Sequence, residues 1–201
     1  NVENGCIIAS GAANLIGNTL DNVLFASAGN NVLNGSSGTD TANYQYATAA
    51  VNASLAITTA QATSGSGSDT FISIENLSGS AYADKLTGNS ASNALNGAAG
   101  ADSLTGGDGS DIYYVDNAGD IVSETNVLTS TGGTDLVYSS LSSYTLTANV
   151  ENGCIVASGA ANLVGNILDN VLFAGAGNNI LNGSSGTDTA SYQYATGGIN
   201  A

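Results

Sequence analysis

The chain has 201 residues and a net charge of −15, with a single cation, Lys85, and no histidine, proline, methionine or tryptophan. Without histidine there is no Ser/His/Asp or Cys/His nucleophilic centre of the usual kind and no His-Glu-x-x-His zinc hydrolase, and without a basic patch the chain repels nucleic acid, nucleotides and anionic membranes. The 16 acidic residues point instead to cations, while a hydrophobic fraction of 42% argues for a packed core and against disorder.

The first element is a long repeat. Asn1 to Ala53 returns as Asn149 to Ala201 with about nine substitutions, mostly Ile/Val, Ala/Gly or Asn/Ser exchanges, so the period is about 148 residues. Residues 1–53 therefore read as a partial copy of one module, 54–148 as its remainder and 149–201 as the start of the next. The expectation is a tandem array, or chains that join end to end. No apolar run approaches the roughly 18 to 20 residues of a membrane span, so membrane insertion is not expected.

Within the module runs a nine-residue period. It shows first as GNTLDNVLF, ASAGNNVLN and GSSGTDTAN over residues 17–43, then as SGSGSDTFI around Asp69. It is clearest over 79–123, as GSAYADKLT, GNSASNALN, GAAGADSLT, GGDGSDIYY and VDNAGDIVS. Position six there carries Asp84, Asn93, Asp102, Asp111 and Asp120, and position eight carries Leu86, Leu95, Leu104, Tyr113 and Val122. The frame resumes as STGGTDLVY around Asp135 and continues through the second copy to Asp188. Ala53 to Thr63 and Glu124 to Thr129 do not fit it and are expected to bulge as loops or to change the size of a coil.

A Gly/Asn/Ser/Ala-rich stretch of about six residues can turn tightly, and three residues with one large apolar side chain in the middle make a very short strand. Two units form an 18-residue coil with strands on opposite faces. Stacked coils then give two parallel sheets around a thin Leu/Ile/Val core, an all-β parallel β-roll or β-solenoid. No coil buries its apolar side alone, so stability is shared between neighbours. Every second repeat lies on one edge, which places Asp84, Asp102 and Asp120 in one column and Asn93 and Asp111 in the other. Carboxylates one coil apart, roughly 4.8 Å, repel unless a cation lies between them. Calcium suits such a gap, since it takes six to eight oxygen ligands and the turns offer carboxylates and glycine carbonyls.

These residues resemble the G-G-x-G-x-D-x-U-x nonapeptide of the repeats-in-toxin, or haemolysin-type, calcium-binding family. Gly106 to Tyr114 fits every defined position if Tyr113 counts as the apolar one, and GAAGADSLT is one glycine short. The resemblance implies a parallel β-roll with calcium between successive turns, type I export in an unfolded state, and folding outside the cell. The expected ligands are Asp84, Asp102, Asp111 and Asp120, with Asn93 and the turn glycines Gly97, Gly100, Gly106, Gly107 and Gly109. Asp40, Asp69 and Asp188, set among Asn-rich coils, are the further candidates. Where asparagine replaces the aspartate, at Asn22, Asn31, Asn93, Asn170 and Asn179, amide ladders can stack the turns and calcium binding is weaker or absent. Asp21, Asp116, Asp169 and Glu3 read as solvated charges.

The functional expectation is a non-enzymatic, extracellular structural module of a surface layer, filament, matrix or adhesin stalk, rigidified by calcium and self-associating. The alternative is the calcium-dependent export tail of a secreted hydrolase or polysaccharide-modifying enzyme. The mixed side chains at outward positions seven and nine argue against an ice-binding face. The YQY pairs, Tyr44/Tyr46 and Tyr192/Tyr194, alternate as on a strand and suggest half-buried aromatic contacts. Cys6 and Cys154 lie about eight coils apart, on the order of 40 Å, too far to bridge each other. Alternation beside Ile155 turns Cys154 outward, with a buried small hydrophobe as the other reading.

Overall fold

The computed structural model describes residues 2–126 and 132–194, and among them every regular element is a short β-strand. Ten strands stack into one continuous parallel sheet that begins at Asn4–Cys6 and ends at Thr189–Ser191. Through the regular block the register advances by one coil of 18 residues: Lys85 pairs with Ser103 and Ser103 with Ile121, and on the long sheet Ala94 pairs with Ile112.

Position eight is the reason these triplets become strands. Leu24, Leu33, Leu86, Leu95, Leu104, Tyr113 and Val137 are at most 2% exposed and belong to one core cluster. Each such side chain contributes roughly 1.5–3 kcal/mol when buried, and only a neighbouring coil can bury it. The flanking residues of each triplet point outward. About six residues rich in glycine, serine and asparagine supply the turn between successive strands of the regular block, and the result is a β-solenoid, as the periodicity implies.

The second face departs from the expected single sheet. It is divided into three: Ala13–Ile16, Asn31–Asn34, Gly67–Ile72 and Gln61–Ser64 form the first; Asn52–Ser54, Lys85–Thr87, Ser103–Thr105 and Ile121–Ser123 the second; Ser143–Thr145, Ala161–Val164 and Asn179–Asn182 the third. The breaks fall where the nine-residue frame fails. Val32 pairs with Thr70, and the chain between them leaves the coil and returns. That excursion is not merely a loop, as the sequence suggested. Asn52–Ser54 docks against Lys85–Thr87, and Gln61–Ser64 pairs antiparallel with Gly67–Ile72. Val51, Ala53 and Leu55 are buried within it, so the inserted segment carries its own piece of core.

The second frame failure changes coil size as expected. Ile112 pairs with Leu136, a coil of 24 residues by the matching Asp111–Asp135 contact. Thr129 lies outside the described residues. Glu124 lies beyond the strand Ile121–Ser123 and is buried at 7% exposure. The YQY pairs make aromatic contacts but do not lie on strands: they follow Thr41–Asn43 and Thr189–Ser191, with Tyr44 fully buried and edge-on to Phe71, Tyr46 exposed against Phe25, and Tyr192 and Tyr194 both exposed, the latter against Phe173.

Candidate metal centre

Most position-six residues stand immediately before a strand, and Asn31, Asp69 and Asn179 within one, so the backbone amide and side chain face the neighbouring coil. The predicted columns form. Asp84 Oδ1 accepts from the Val51 amide at 2.7 Å, Asp102 Oδ1 from the Asp84 amide at 2.7 Å, and Asp120 Oδ1 from the Asp102 amide at 3.0 Å. On the other edge Asp111 Oδ1 accepts from the Asn93 amide at 2.7 Å and Asp135 Oδ1 from the Asp111 amide at 2.8 Å. Asp40, Asp69 and Asp188 hold the amides of Asn22, Asn31 and Asn170 in the same manner. The stacked carboxylates are therefore not opposed oxygen to oxygen. One oxygen of each caps an amide of the coil before, which secures a backbone donor that the strand ladder leaves unpaired.

Asparagine at position six works the other way round. Asn93 donates its side-chain amide to the Glu75 carbonyl at 2.7 Å, and Asn22 and Asn170 donate to the Glu3 and Glu151 carbonyls at 3.0 Å. At Asn22, Asn93 and Asn170 the expected ladders thus run from amide to backbone, not between side chains, whereas the Asn31 side-chain amide has no partner and that of Asn179 bonds only to Ala176 of its own turn. Two glutamates that the sequence reading passed over occupy position-six places: Glu75 Oε2 accepts from the Asp40 amide and Glu151 Oε2 from the Asp135 amide, each at 2.8 Å. The signal was present in the recurring Glu-Asn pairs at 3–4, 75–76 and 151–152, each leading into a strand.

The remaining oxygen of each aspartate decides what the edge can bind. Asp84 turns its second oxygen to the Ser80 hydroxyl at 3.0 Å, and Asp69 turns its own to Tyr44 at 3.0 Å and Thr63 at 2.9 Å. Asp40, Asp102 and Asp111 bury Oδ2 with no hydrogen-bond partner. Asp120 is half-buried and Asp188, in the last described coil, is exposed. Asp21, Asp116, Asp169 and Glu3 are exposed, with Asp21 and Asp169 each holding an amide of the next coil.

The turn glycines explain themselves sterically. A Cβ on Gly97 or Gly106 would strike the Asp102 or Asp111 carboxylate of its own turn. Gly100, Gly107 and Gly109 have φ of +149°, +111° and +97° and pack against backbone of the preceding coil, a conformation side chains disfavour.

Burial raises the acids, against the lowering effect of their backbone hydrogen bonds. It lifts Asp102 and Asp111 to about 6, Asp135 to about 7 and Glu124 to about 8, with nearby carboxylates adding to the effect. Asp111, Glu124 and Asp135 bring carboxylate oxygens within 4.8 Å of one another. Such an oxygen-only, carboxylate-rich set with buried orphan atoms fits a hard cation of the calcium class, and it fits zinc poorly, since the chain has no histidine.

A family model of the RTX calcium-binding nonapeptide repeat matches four stretches, residues 10–43, 63–102, 87–122 and 158–190, which together span more than half of the chain. The chain belongs to this RTX family. No curated protein matches it. The matched stretches hold Asp40, Asp69, Asp84, Asp102, Asp111, Asp120 and Asp188, whereas Glu124 and Asp135 fall outside them. RTX membership identifies the turns as calcium-binding repeats in kind.

The cysteines are both free. Gly153 faces Leu146 and Leu163 of the interior, which turns Cys154 to the outer face, as alternation implies. Cys154 is nevertheless buried, in a recess lined by Tyr138, Val156 and Tyr194, while Cys6 is exposed. Cys154 thus combines the two readings: it faces the outer side of the sheet, and its neighbours there bury it.

Proposed function

We propose that this chain is part of a secreted structural array, a surface-layer, filament, matrix or adhesin-stalk module whose coils are stiffened by calcium and which performs no catalysis. The observation that carries this reading is the stack of buried position-six carboxylates, with Asp40, Asp102 and Asp111 each retaining an unpartnered oxygen. The near-identical copy of residues 1–53 at 149–201 supports an array. The absence of histidine and the single cation support a non-catalytic role.

In this reading Asp84, Asp102, Asp111 and Asp120 are the main ligands, with carbonyls of Gly97, Gly100, Gly106, Gly107 and Gly109 and the side chain of Asn93 as further oxygen donors. Asp40, Asp69 and Asp188 contribute in the flanking coils. Folding and metal binding are coupled, because bringing these carboxylates together is unfavourable without a counter-ion. Extracellular calcium modules bind at roughly 10⁻⁴ to 10⁻³ M, a concentration found outside cells. The test is calorimetric titration with calcium beside thermal melts in calcium and in chelator. Binding in that range, a higher melting temperature with calcium, and a larger loss of binding in Asp102→Ala than in Asp21→Ala are expected. Unchanged melts in excess chelator, with no heat of binding, refute it.

A further inference from the structure

Glycine follows many of the triplet strands, other small or apolar residues follow the rest, and after Ile121–Ser123 alone among the described three-residue strands the residue is an acid, Glu124. Thr105 pairs with Ser123, so the residues that follow, Gly106 and Glu124, are successive members of one glycine column. Glutamate at this place projects a carboxylate into the turn below it. A Cβ built on Gly106 would meet the Asp111 carboxylate and the Tyr113 hydroxyl, and would lie 2.6 Å from Glu124 Oε1. Three oxygens from three side chains thus converge over one glycine. Asp135 completes the set from the end of the 24-residue coil, its carboxylate within 4.8 Å of the other two.

These groups are shut away from water. Asp111 and Tyr113 are 0% exposed, Asp135 2% and Glu124 7%. Asp111 Oδ2 and the Tyr113 hydroxyl have no hydrogen-bond partner, and Glu124 has as a donor near it only the backbone amide of Gly107. The Tyr113 hydroxyl is the independent pointer, since a neutral side chain of the core aims its one polar atom into the acidic cluster and finds nothing there to bond. A buried polar atom without a partner costs on the order of 1–3 kcal/mol, and buried carboxylates more, so the arrangement calls for an occupant. The chain cannot supply one: Lys85, its only cation, is exposed on another strand.

We propose that Asp111, Glu124 and Asp135, with the Tyr113 hydroxyl, enclose one calcium-class divalent cation in a site that the nonapeptide motif does not encode. Glu124 is its specifying residue, because no other described three-residue strand is followed by a carboxylate. The site clamps the start and the end of the enlarged coil to the turn beneath, and so joins the regular block to the frame that resumes at Asp135. The proposal rests on the calcium-binding reading above, but it concerns a separate ion.

The experiment uses the whole chain, with calcium stoichiometry measured by calorimetry and by elemental analysis after dialysis against dilute calcium. Glu124→Gln keeps the size and removes the charge; Glu124→Gly restores the residue of the frame. Both variants are expected to retain one calcium fewer per chain than wild type, and in chelator at pH 8 Glu124→Gln is expected to melt above wild type because a buried charge has gone. Tyr113→Phe is expected to keep the full calcium count while weakening the site at least tenfold. Wild-type stoichiometry and affinity in both Glu124 variants, in a chain that otherwise binds calcium, would overturn this site and leave the repeat-turn reading standing, the carboxylates then being held by protons. A wild-type chain that binds no calcium overturns both.

Discussion

Replacing Asp102 by asparagine tests the electrostatics of the turns with little change in shape. Burial lifts this carboxyl from its usual 3.8 to about 6, the charges of Asp84, Asp120 and Asp116 push the same way, and the bond from the Asp84 amide opposes them. For an acid raised by folding, protonation favours the fold. The stabilisation is fully present below about pH 3.8 and is lost as pH rises through about 6. At roughly 1.4 kcal/mol per pH unit the full effect is about 3 kcal/mol. The turn edge is thin and water lies close beyond it, so about half, ~1–2 kcal/mol, is expected to survive screening. In chelator at pH 7.5 Asp102→Asn should therefore melt about 2–8 °C above wild type, at roughly 2–4 °C per kcal/mol for a chain of this length. The chain already shows that an amide is accepted there, since Asn22, Asn93 and Asn170 each donate to a carbonyl of the coil before. Near pH 4 the two proteins should melt together, and in saturating calcium the order should reverse, because the wild-type carboxylate holds the ion more tightly. Circular dichroism melts across this pH range suffice. A variant less stable than wild type in chelator at pH 7.5, or an advantage that does not change with pH, would show that the buried charge is not the controlling term.

Three further outcomes follow from the packing. Leu104→Ala removes a fully buried position-eight side chain and should cost about 2–5 kcal/mol in urea denaturation, and Leu181→Ala, only partly buried, clearly less; equal losses would contradict the core assignment. Gly97→Ala drives a Cβ into the Asp102 carboxylate, whereas a Cβ on Gly11 meets nothing within 4 Å, so the first should lose about 1–3 kcal/mol and the second should be near neutral. Cys6 is exposed while burial raises the Cys154 thiol, so maleimide should label Cys6 at least about tenfold faster in the native chain, with the difference vanishing in denaturant; equal native rates would refute the covered Cys154.

The nine-residue spacing by itself determined the solenoid, the inward position eight and the two carboxylate columns. Strand alternation and an 18-residue coil are local properties, and any chain that repeats them places Leu86, Leu104 and Val122 in one row and Asp84, Asp102 and Asp120 in another. Spacing also exposed the places where the frame failed, but not what filled them. Only the tertiary structure decided that residues 51–55 return to the second face and extend its core, because that depends on which strand edge the excursion can reach. The same holds for Cys154, whose outward direction was legible and whose burial depends on Tyr138 and Tyr194 from other coils. Glu75 and Glu151 take aspartate places because each stands directly before a strand and its carboxylate accepts from the amide of the acid one coil before. Glu124 is the plainest case: in sequence it is a residue outside the motif, and it becomes a candidate ligand only because a 24-residue coil stacks on an 18-residue one and sets its carboxylate between Asp111 and Asp135.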